Sequence, residues 1–586
     1  MSKHTRVRKI QRRNHVIPEQ LQDAALHPVL KRIYANRHVS SLDQVDYSLE
    51  RLIDYRQLKG IDTAASIVAD AITQQQRILI IGDYDADGAT STALVVRALT
   101  GFAAAHVDYL VPNRFEYGYG LTPEIVEVAA KYVPDLLITV DNGISSIEGV
   151  KAAHRHGMKV VVTDHHLPGR QLPEADAIVN PNQPGCGFVS KSIAGVGVAF
   201  YLMLAVRAAL RDRDWFDDQR PEPNMAGLLD LVALGTVADV VPLDENNRIM
   251  VEQGIRRIRA GRTGPGIRAL FSAAGKDPKA CTSTDFGFFI GPRLNAAGRL
   301  EDMSAGIECL ITDSATVAGS IAEELNRLNQ QRKQIEQGML DQALDDMQAL
   351  LATLAEDRLH AGLCLYNGSW HQGVIGLLAS RIKERFHRPV IAFADANDDA
   401  GSDEIKGSAR SIQGLHIRDV LDTIAARHPG LIRKFGGHAM AAGLSIRRDD
   451  FEAFKQAFEQ EVESMLSEDA LEEVVETDGS IEPALMSLET AQVIESAGPW
   501  GQQFPEPVFD NQFEIVEWKI VGEKHLKMQL RHDQGGRTVD AIAFNTVADD
   551  LPSFERIHLA YRLNVNEFRN VRNLQLIVDC INSAAS

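Results

Sequence analysis

The sequence predicts a multidomain α/β protein. A parallel-sheet domain comes first, then a long connecting helix, a second α/β domain and a C-terminal β-barrel of the OB-fold kind. Three observations predict this. Residues 60–200 alternate short β-branched runs with helical patterns, the signature of a largely parallel sheet. From Val317 to Leu350, apolar residues recur at three- and four-residue steps, and no Pro or Gly intervenes between Gly319 and Gly338. Residues 505–582 break into five short alternating runs with a Gly535-Gly536 turn, which suits a small barrel.

Composition narrows the function. A chain of 586 residues, 45% hydrophobic and 24% charged, has the make-up of a soluble globular protein with several domains. No apolar run reaches membrane-spanning length, so no membrane association is expected. Met1 to Arg13 is basic, but no apolar stretch follows as it would in a secretory signal. Five cysteines without CxxC spacing exclude a disulfide framework or a structural zinc site and point to the cytoplasm. The net charge of −19 argues against non-specific nucleic-acid binding, so any nucleic-acid path must be a local basic track.

Residues 1–50 read as a basic tail followed by short helices. Lys3, Arg6, Arg8, Lys9, Arg12 and Arg13 have no acidic neighbours; a solvated tail is the plain reading, a phosphate contact the sharper one. The expected sheet strands are Arg77–Ile81, His106–Val111, Asp135–Val140, Lys159–Thr163 and Ala177–Val179. The first runs into Gly82-Asp83-Tyr84-Asp85-Ala86-Asp87-Gly88, and a helix follows to Leu99. Three carboxylates therefore sit where open α/β sheets place their ligands. A solvated acidic turn would use the same residue types. The third strand ends in Asp141-Asn142-Gly143, and Asp141 alone would pass for a helix cap. The fourth ends in Asp164-His165-His166. Leu234 to Pro242 reads as one more apolar run ending in polar residues, with Asp239 inside it; alone, Asp239 would pass for a buried hydrogen-bonded acid. Parallel strands deliver such groups to one edge, and a cluster of Asp and His without Cys suits Mn²⁺ or Mg²⁺.

Asp83-x-Asp85-x-Asp87, Asp141, Asp164-His165-His166 and Asp239 resemble the four motifs of the DHH phosphoesterase superfamily. Gly291 to Arg299, Lys406 to Ser411 and Gly436 to Gly443 follow in order, and the whole series resembles the bacterial single-strand-specific 5′→3′ exonucleases of that superfamily. The resemblance implies six domain segments: a tail (1–50), a DHH domain (51–311), the connecting helix (312–353), a DHH-associated domain (354–465), an acidic linker (466–483) and the OB-like barrel (484–586). It implies in-line phosphodiester hydrolysis with two Mn²⁺ or Mg²⁺ ions. These would be held by Asp83, Asp85, Asp87, Asp141, His165 and Asp239, with Asp141 shared and His166 facing the phosphate. Apolar residues stand where many members of the superfamily carry a histidine before the first aspartates. Asp83 is the candidate replacement, and which of Asp83, Asp85 and Asp87 ligate directly stays open.

The connecting helix is expected to join two lobes across a cleft, with Asn329 and Arg332 toward it. The second domain has expected strands Gly362–Tyr366 and Val390–Phe393. Its Gly437 and His438 are implied substrate contacts, with Ser408, Arg410, Arg293 and Asn295. In the barrel, Trp518, Lys519, Lys524, Lys527, Arg531, Tyr561, Arg562, Phe568 and Arg569 offer aromatic and basic groups for single-stranded DNA, and Phe513 and Phe544 read as core. Recombination and repair, with single-strand-binding protein as partner, are what the resemblance implies. A small-substrate phosphodiesterase of the superfamily would be shorter and lack the barrel. A non-catalytic DNA-binding scaffold would have lost metal-motif residues that this chain keeps.

Overall fold

The computed structural model describes residues 8–583 apart from 113–119, 354–359, 397–402, 467, 523–524, 545, 547–554 and 569–570, and apart from the side chains of 346–353, 468–469 and 568. The chain divides into two compact units. One is Arg12–Asn329 with Glu476–Ser586, the other Gln330–Val475 with Ser2–Gln11.

The first unit is built on a parallel sheet of β1 (Arg77–Ile81), β2 (His106–Leu110), β3 (Leu136–Val140), β4 (Lys159–Thr163) and β5 (Ala177–Val179), in the order β2-β1-β3-β4-β5. The three central strands are buried on both faces, which is why they read as unbroken apolar runs. Ile78 and Ile80 enter the large core on one side, and Leu79 and Ile81 the smaller core on the other. Strand order reverses between β1 and β3, so their carboxyl ends flank the crevice where such sheets bind ligands. Helix α1 (Ala86–Gly101) starts there. Helices α2 (Gly195–Arg211) and α3 (Leu229–Ala238) pack against it. Of the run Leu234 to Pro242, which the sequence groups with the strand ends, Leu234 to Ala238 is instead the end of α3, and Asp239 and Val240 form the turn after it. Every residue from Leu229 to Thr236 is buried, and a helix apolar on all sides loses the amphipathic period that would identify it. Helix α4 (Gly291–Leu300) completes the surroundings of the crevice, and α5 (Ala315–Thr353) runs from the first unit into the second.

The second unit holds a five-stranded sheet of β6 (Leu363–Tyr366), β7 (Val390–Asp395), β8 (Glu404–Arg410), β9 (Lys434–Gly437) and β10 (Ala441–Arg447), in the order β9-β10-β8-β7-β6. Helix α6 (Ile375–Phe386) follows β6. The glycine-rich stretch 436–443 is a hairpin, with Gly437 at φ +143 where a Cβ would lie 2.4 Å from the Ala441 carbonyl oxygen.

The C-terminal strands β11 (Phe509–Val521), β12 (His525–His532), β13 (Val539–Ala543), β14 (Arg556–Phe568) and β15 (Val571–Ser583) close into a barrel in the order β11-β12-β13-β15-β14. The β13–β15 pair is parallel and the others antiparallel, a five-stranded Greek-key barrel of the OB type. Its interior residues Phe509, Phe513 and Leu559 belong to the same core as the parallel-sheet domain.

Two expectations change. Residues 8–13 are not a solvated tail, because Lys9–Arg12 forms a strand against Val474–Thr477. Arg8 meets Glu473 at 2.8 Å, Arg12 meets buried Asp510 at 2.7 Å and Arg13 meets Glu476 at 3.0 Å. Their acids lie more than 450 positions away, out of reach of any local reading. Lys3 and Arg6 lie outside the described residues. Segment 466–483 is more than a linker, since it supplies that strand and buried Asp478, which takes Arg37 and Asn36 at 2.9 Å each. Among the described residues no helix is long and apolar enough to cross a membrane.

Candidate metal centre

The motifs meet at the carboxyl ends of β1, β3 and β4. Asp85 caps α1, with one oxygen (Oδ1) accepting from the Asp87 and Gly88 amides at 2.9 and 3.0 Å. Asp85 also offers a carboxylate oxygen within 4.8 Å of ligand atoms of Asp83 and Asp141. Asp87 turns the other way, and its carboxylate accepts from the Gly195 and Val196 amides at 2.7 and 2.9 Å, at the positive end of α2. Asp141 is not a helix cap. It adopts φ +61, a conformation Asp tolerates better than most residues. Gly195 makes room for it, since a Cβ there would lie 2.5 Å from Asp141 Oδ1. His165 Nε2 lies 3.2 Å from that oxygen and 3.5 Å from Asp239 Oδ2. Asp239 arrives from the end of α3, so a helix supplies what a strand was expected to supply.

Ligand atoms group within 4.8 Å of one another in three sets: Asp83, Asp85 and Asp141; Asp87, His165 and Asp239; and Asp141, His165 and His166. The first two sets share no residue, and Asp141 of the first lies 3.2 Å from His165 of the second. Burial and then neighbouring carboxylates push Asp83, Asp141 and Asp239 well above the usual carboxylate range and Asp87 up to about 7. Like charges this close resist full ionisation, and divalent cations would relieve the cost. A set rich in carboxylate with one or two imidazoles fits hard or borderline divalent ions such as Mg²⁺ and Mn²⁺.

Asp164 is the residue that motif reading undervalued. It is buried, and its Oδ1 accepts from the His165 and His166 amides and from His166 Nδ1 at 2.7, 3.0 and 2.7 Å, while Oδ2 accepts from the Ile144 amide at 2.9 Å. Burial works against the charged imidazole of His166, but the Asp164 bond and the charges of Asp164, Asp83 and Asp85 outweigh it and hold the group at about 8. Burial opposes the Asp164 carboxylate too, yet its bonds to His166 and the Ile144 amide keep its pKa below the usual range. Gly195 and Val196, also unforeseen, had one sequence signal: the closely spaced glycines Gly195 and Gly197 opening an apolar helix, where a carboxylate can approach backbone amides.

The implied substrate contacts divide. Asn295 Oδ1 accepts from the Ala86 amide at 2.8 Å and so fixes the aspartate turn. Arg293 is buried, with its guanidinium donating to the Phe289 carbonyl at 2.7 Å, and burial lowers its pKa. In the second unit, Ser408 and Arg410 share one face of β8. Register puts Ala441 opposite Arg410 and Gly437 opposite Ala442, which brings Gly437 and His438 to the same end of the sheet. Arg410 donates to Ser408 Oγ at 3.1 Å and the Ala409 carbonyl at 2.8 Å; burial lowers its pKa. Arg332 is committed to Glu336 at 2.7 Å. On the barrel, Trp518 is exposed. Phe544 is exposed too, against expectation, whereas Tyr561 is core and donates to Asn511 at 2.7 Å. Lys527, Arg531 and Arg562 hold ion pairs with Asp540, Glu514 and Asp579. Lys524, Arg569 and the Phe568 side chain lie outside the described residues.

Comparison with known proteins agrees with this layout. Residues 77–236 match the DHH family N-terminal domain, residues 359–464 the DHHA1 domain and residues 477–579 the RecJ OB domain. The single-stranded-DNA-specific exonuclease RecJ of Escherichia coli is 52% identical over 561 residues, 95% of this chain and 96% of that one. Its namesake in Bacillus subtilis is 32% identical over 89% of this chain and 63% of its own length. Among solved structures, RecJ in complex with Mn²⁺ from Thermus thermophilus matches with a TM-score of 0.80 at 29% identity, covering 100% of this chain and 81% of that one. The corresponding Mg²⁺ complex gives a TM-score of 0.75 at 27% identity. Three domain matches in the order of the motifs, with about half the residues shared along nearly the full length of a curated relative, make this chain a member of the RecJ family of DHH phosphoesterases.

Proposed function

We propose that this chain is a metal-dependent exonuclease that hydrolyses single-stranded DNA from its 5′ end to 5′-mononucleotides, in the cytoplasm, in recombination and repair. The observation that carries the reading is a pair of ligand sets that share no residue, Asp83, Asp85 and Asp141 in one and Asp87, His165 and Asp239 in the other. When bound, two Mn²⁺ or Mg²⁺ ions supply charge neutralisation and Lewis acidity for in-line attack of water on phosphorus. The chain's own groups do the rest. Asp164 fixes the ring of His166 through its Nδ1, so that the ring can stabilise charge building on the scissile phosphate. Asn295 and the Gly195 and Val196 amides hold the aspartate turn in place. Ser408, Arg410, Gly437 and His438 form a second polar cluster suited to the phosphate backbone, and the exposed Trp518 and Phe544 offer stacking surface on the barrel. Single-strand-binding protein is the partner this reading implies.

The test uses matched 3′-labelled oligonucleotides, one single-stranded and one a blunt duplex, with Mn²⁺ and again with EDTA. The expected result is a ladder shortening from the 5′ end, on the single strand only and lost with EDTA. Intact DNA with hydrolysis of dinucleotides or pyrophosphate would move the chain to the small-substrate branch of its superfamily.

A further inference from the structure

Four large apolar side chains stand out to solvent on segments that carry or adjoin residues of the metal centre. Leu167 follows His166 and is 63% exposed; Val240 follows Asp239 and is 64% exposed; Val189 is 71% and Phe288 74% exposed. Single exposed apolar residues are ordinary, but these four are tied to one another and to the site. Asn182 donates to the carbonyls of both His165 and Lys191, at 2.6 and 3.2 Å, which draws the loop carrying Val189 against the histidine loop. Ser190 donates to Asp244 at 2.6 Å, and Asn247 donates to the Ser192 and Pro242 carbonyls at 2.9 and 2.8 Å, which join that loop to the segment carrying Val240. The turn Phe286–Ile290 rests on the end of α3. A Cβ at Gly287 would lie 3.8 Å from Val237, and one at Gly291 3.0 Å from Ala238.

The fold does not need Phe288. Its neighbours Phe286 and Ile290 are fully buried, and Phe289 lies under Lys276 at 3.9 Å, so the π-helical turn has its anchors without it. Single π turns are frequent at functional sites. Val240 is held at φ +61, which a β-branched residue rarely adopts, and that conformation directs an apolar side chain outward beside a candidate ligand.

We propose that Leu167, Val189, Val240 and Phe288 form a base-contact rim, on which the nucleobases flanking the scissile phosphate pack while the phosphate itself sits on the metal centre. This rests on the nuclease reading above and adds to it a source of strand selectivity. The bases are the broad apolar surface that a nucleic acid strand offers. A single strand presents their faces; a duplex keeps them stacked and paired. Phe288 is the member with a ring able to stack on a base.

The test measures steady-state cleavage by the full chain with Mn²⁺ on two 3′-labelled single strands, one native and one with abasic sites over its first nucleotides. On the native strand, Phe288→Ala is expected to raise KM by about tenfold with kcat little changed, and Phe288→Tyr to restore the wild-type value. On the abasic strand, wild type and Phe288→Ala should become equal, both cutting at about the poorer rate. Thermal melting of Phe288→Ala should match wild type, because the side chain is exposed. Equal KM for wild type and Phe288→Ala on native DNA, or wild-type cleavage of the abasic strand at the native rate, would overturn the rim; the first of these would also leave the patch to a protein partner. Failure of the wild type to cut either strand would instead overturn the nuclease reading and the rim with it.

Discussion

Asp141 shows what a single residue contributes. It is buried, bends the chain into the left-handed region and brings the carboxylate of one ligand set to 3.2 Å from His165 of the other. Asp141→Ala should reduce cleavage by about a thousandfold or more while leaving single-strand binding within about threefold, measured by anisotropy beside single-turnover hydrolysis. Wild-type turnover in that variant would remove Asp141 from the centre. The same residues predict a pH effect on stability. A carboxyl whose folded pKa is raised, as that of Asp87 is to about 7, destabilises the metal-free protein above that pH, and the penalty fades as pH falls toward the unfolded value of about 4. Mn²⁺ removes the penalty, so it should raise Tm most above pH 7 and progressively less below it. At a hundredfold excess over Kd the gain is about 2.7 kcal/mol. A Tm gain unchanged between pH 8 and pH 5.5 would contradict this. The aspartates and histidines were legible as residue types at strand ends. Asp164 was visible as part of a motif, but its orienting role was not, because that role consists of bonds to backbone amides.

At the scale of elements, the centre depends on the start of α2. Gly195 both donates to Asp87 and leaves space for Asp141. Gly195→Ala should weaken Mn²⁺ binding by about ten- to a hundredfold, read by calorimetry, since it disturbs groups that orient ligands. Unchanged Mn²⁺ affinity would show that the pocket relaxes around the methyl. The N-terminal strand gives the second case. Asp510 is buried on β11 and bonds His558, Arg12 and Thr477. Burial opposes its charge, but those bonds win and depress its pKa. Its contribution is therefore present above the unfolded pKa of about 4 and lost as pH falls below it. Asp510→Asn should cost about 1–3 kcal/mol at pH 7, a figure limited by the exposure of Arg12, with the difference from wild type closing below pH 4 in denaturant melts. Strands with β-branched runs were legible to within a residue or two. Helix α3 was not, because burial on all sides erased its period, and β8 to β10 were missed because glycine and basic residues interrupt their alternation.

At the scale of the whole molecule, a net charge of −19 must be reconciled with a polyanionic substrate. Much of the negative charge lies in the metal centre or in ion pairs, and the candidate DNA contacts are local. Binding of single-stranded DNA should still weaken with salt, because Lys and Arg that pair with phosphates release the cations condensed on the strand. A flat response between 50 and 300 mM salt would mean that phosphate contacts contribute little. On the barrel, Trp518→Ala should cost about 1–3 kcal/mol of single-strand affinity if bases stack there, with cleavage of short substrates unaffected.

The parallel sheet, the terminal barrel and the residue types of the metal centre were determined by the sequence alone. All of these follow from local periodicity and from chemistry carried on one short stretch at a time. Only the tertiary structure decided that Asp239 comes from the end of a helix, that Gly195 shapes the space around Asp141, and that Arg12 pairs with Asp510. It alone decided which apolar residues stay in solvent around the centre. Each of these depends on groups far apart in the chain meeting at a few ångströms, and at that range burial and hydrogen bonding outweigh any preference readable from neighbours in sequence.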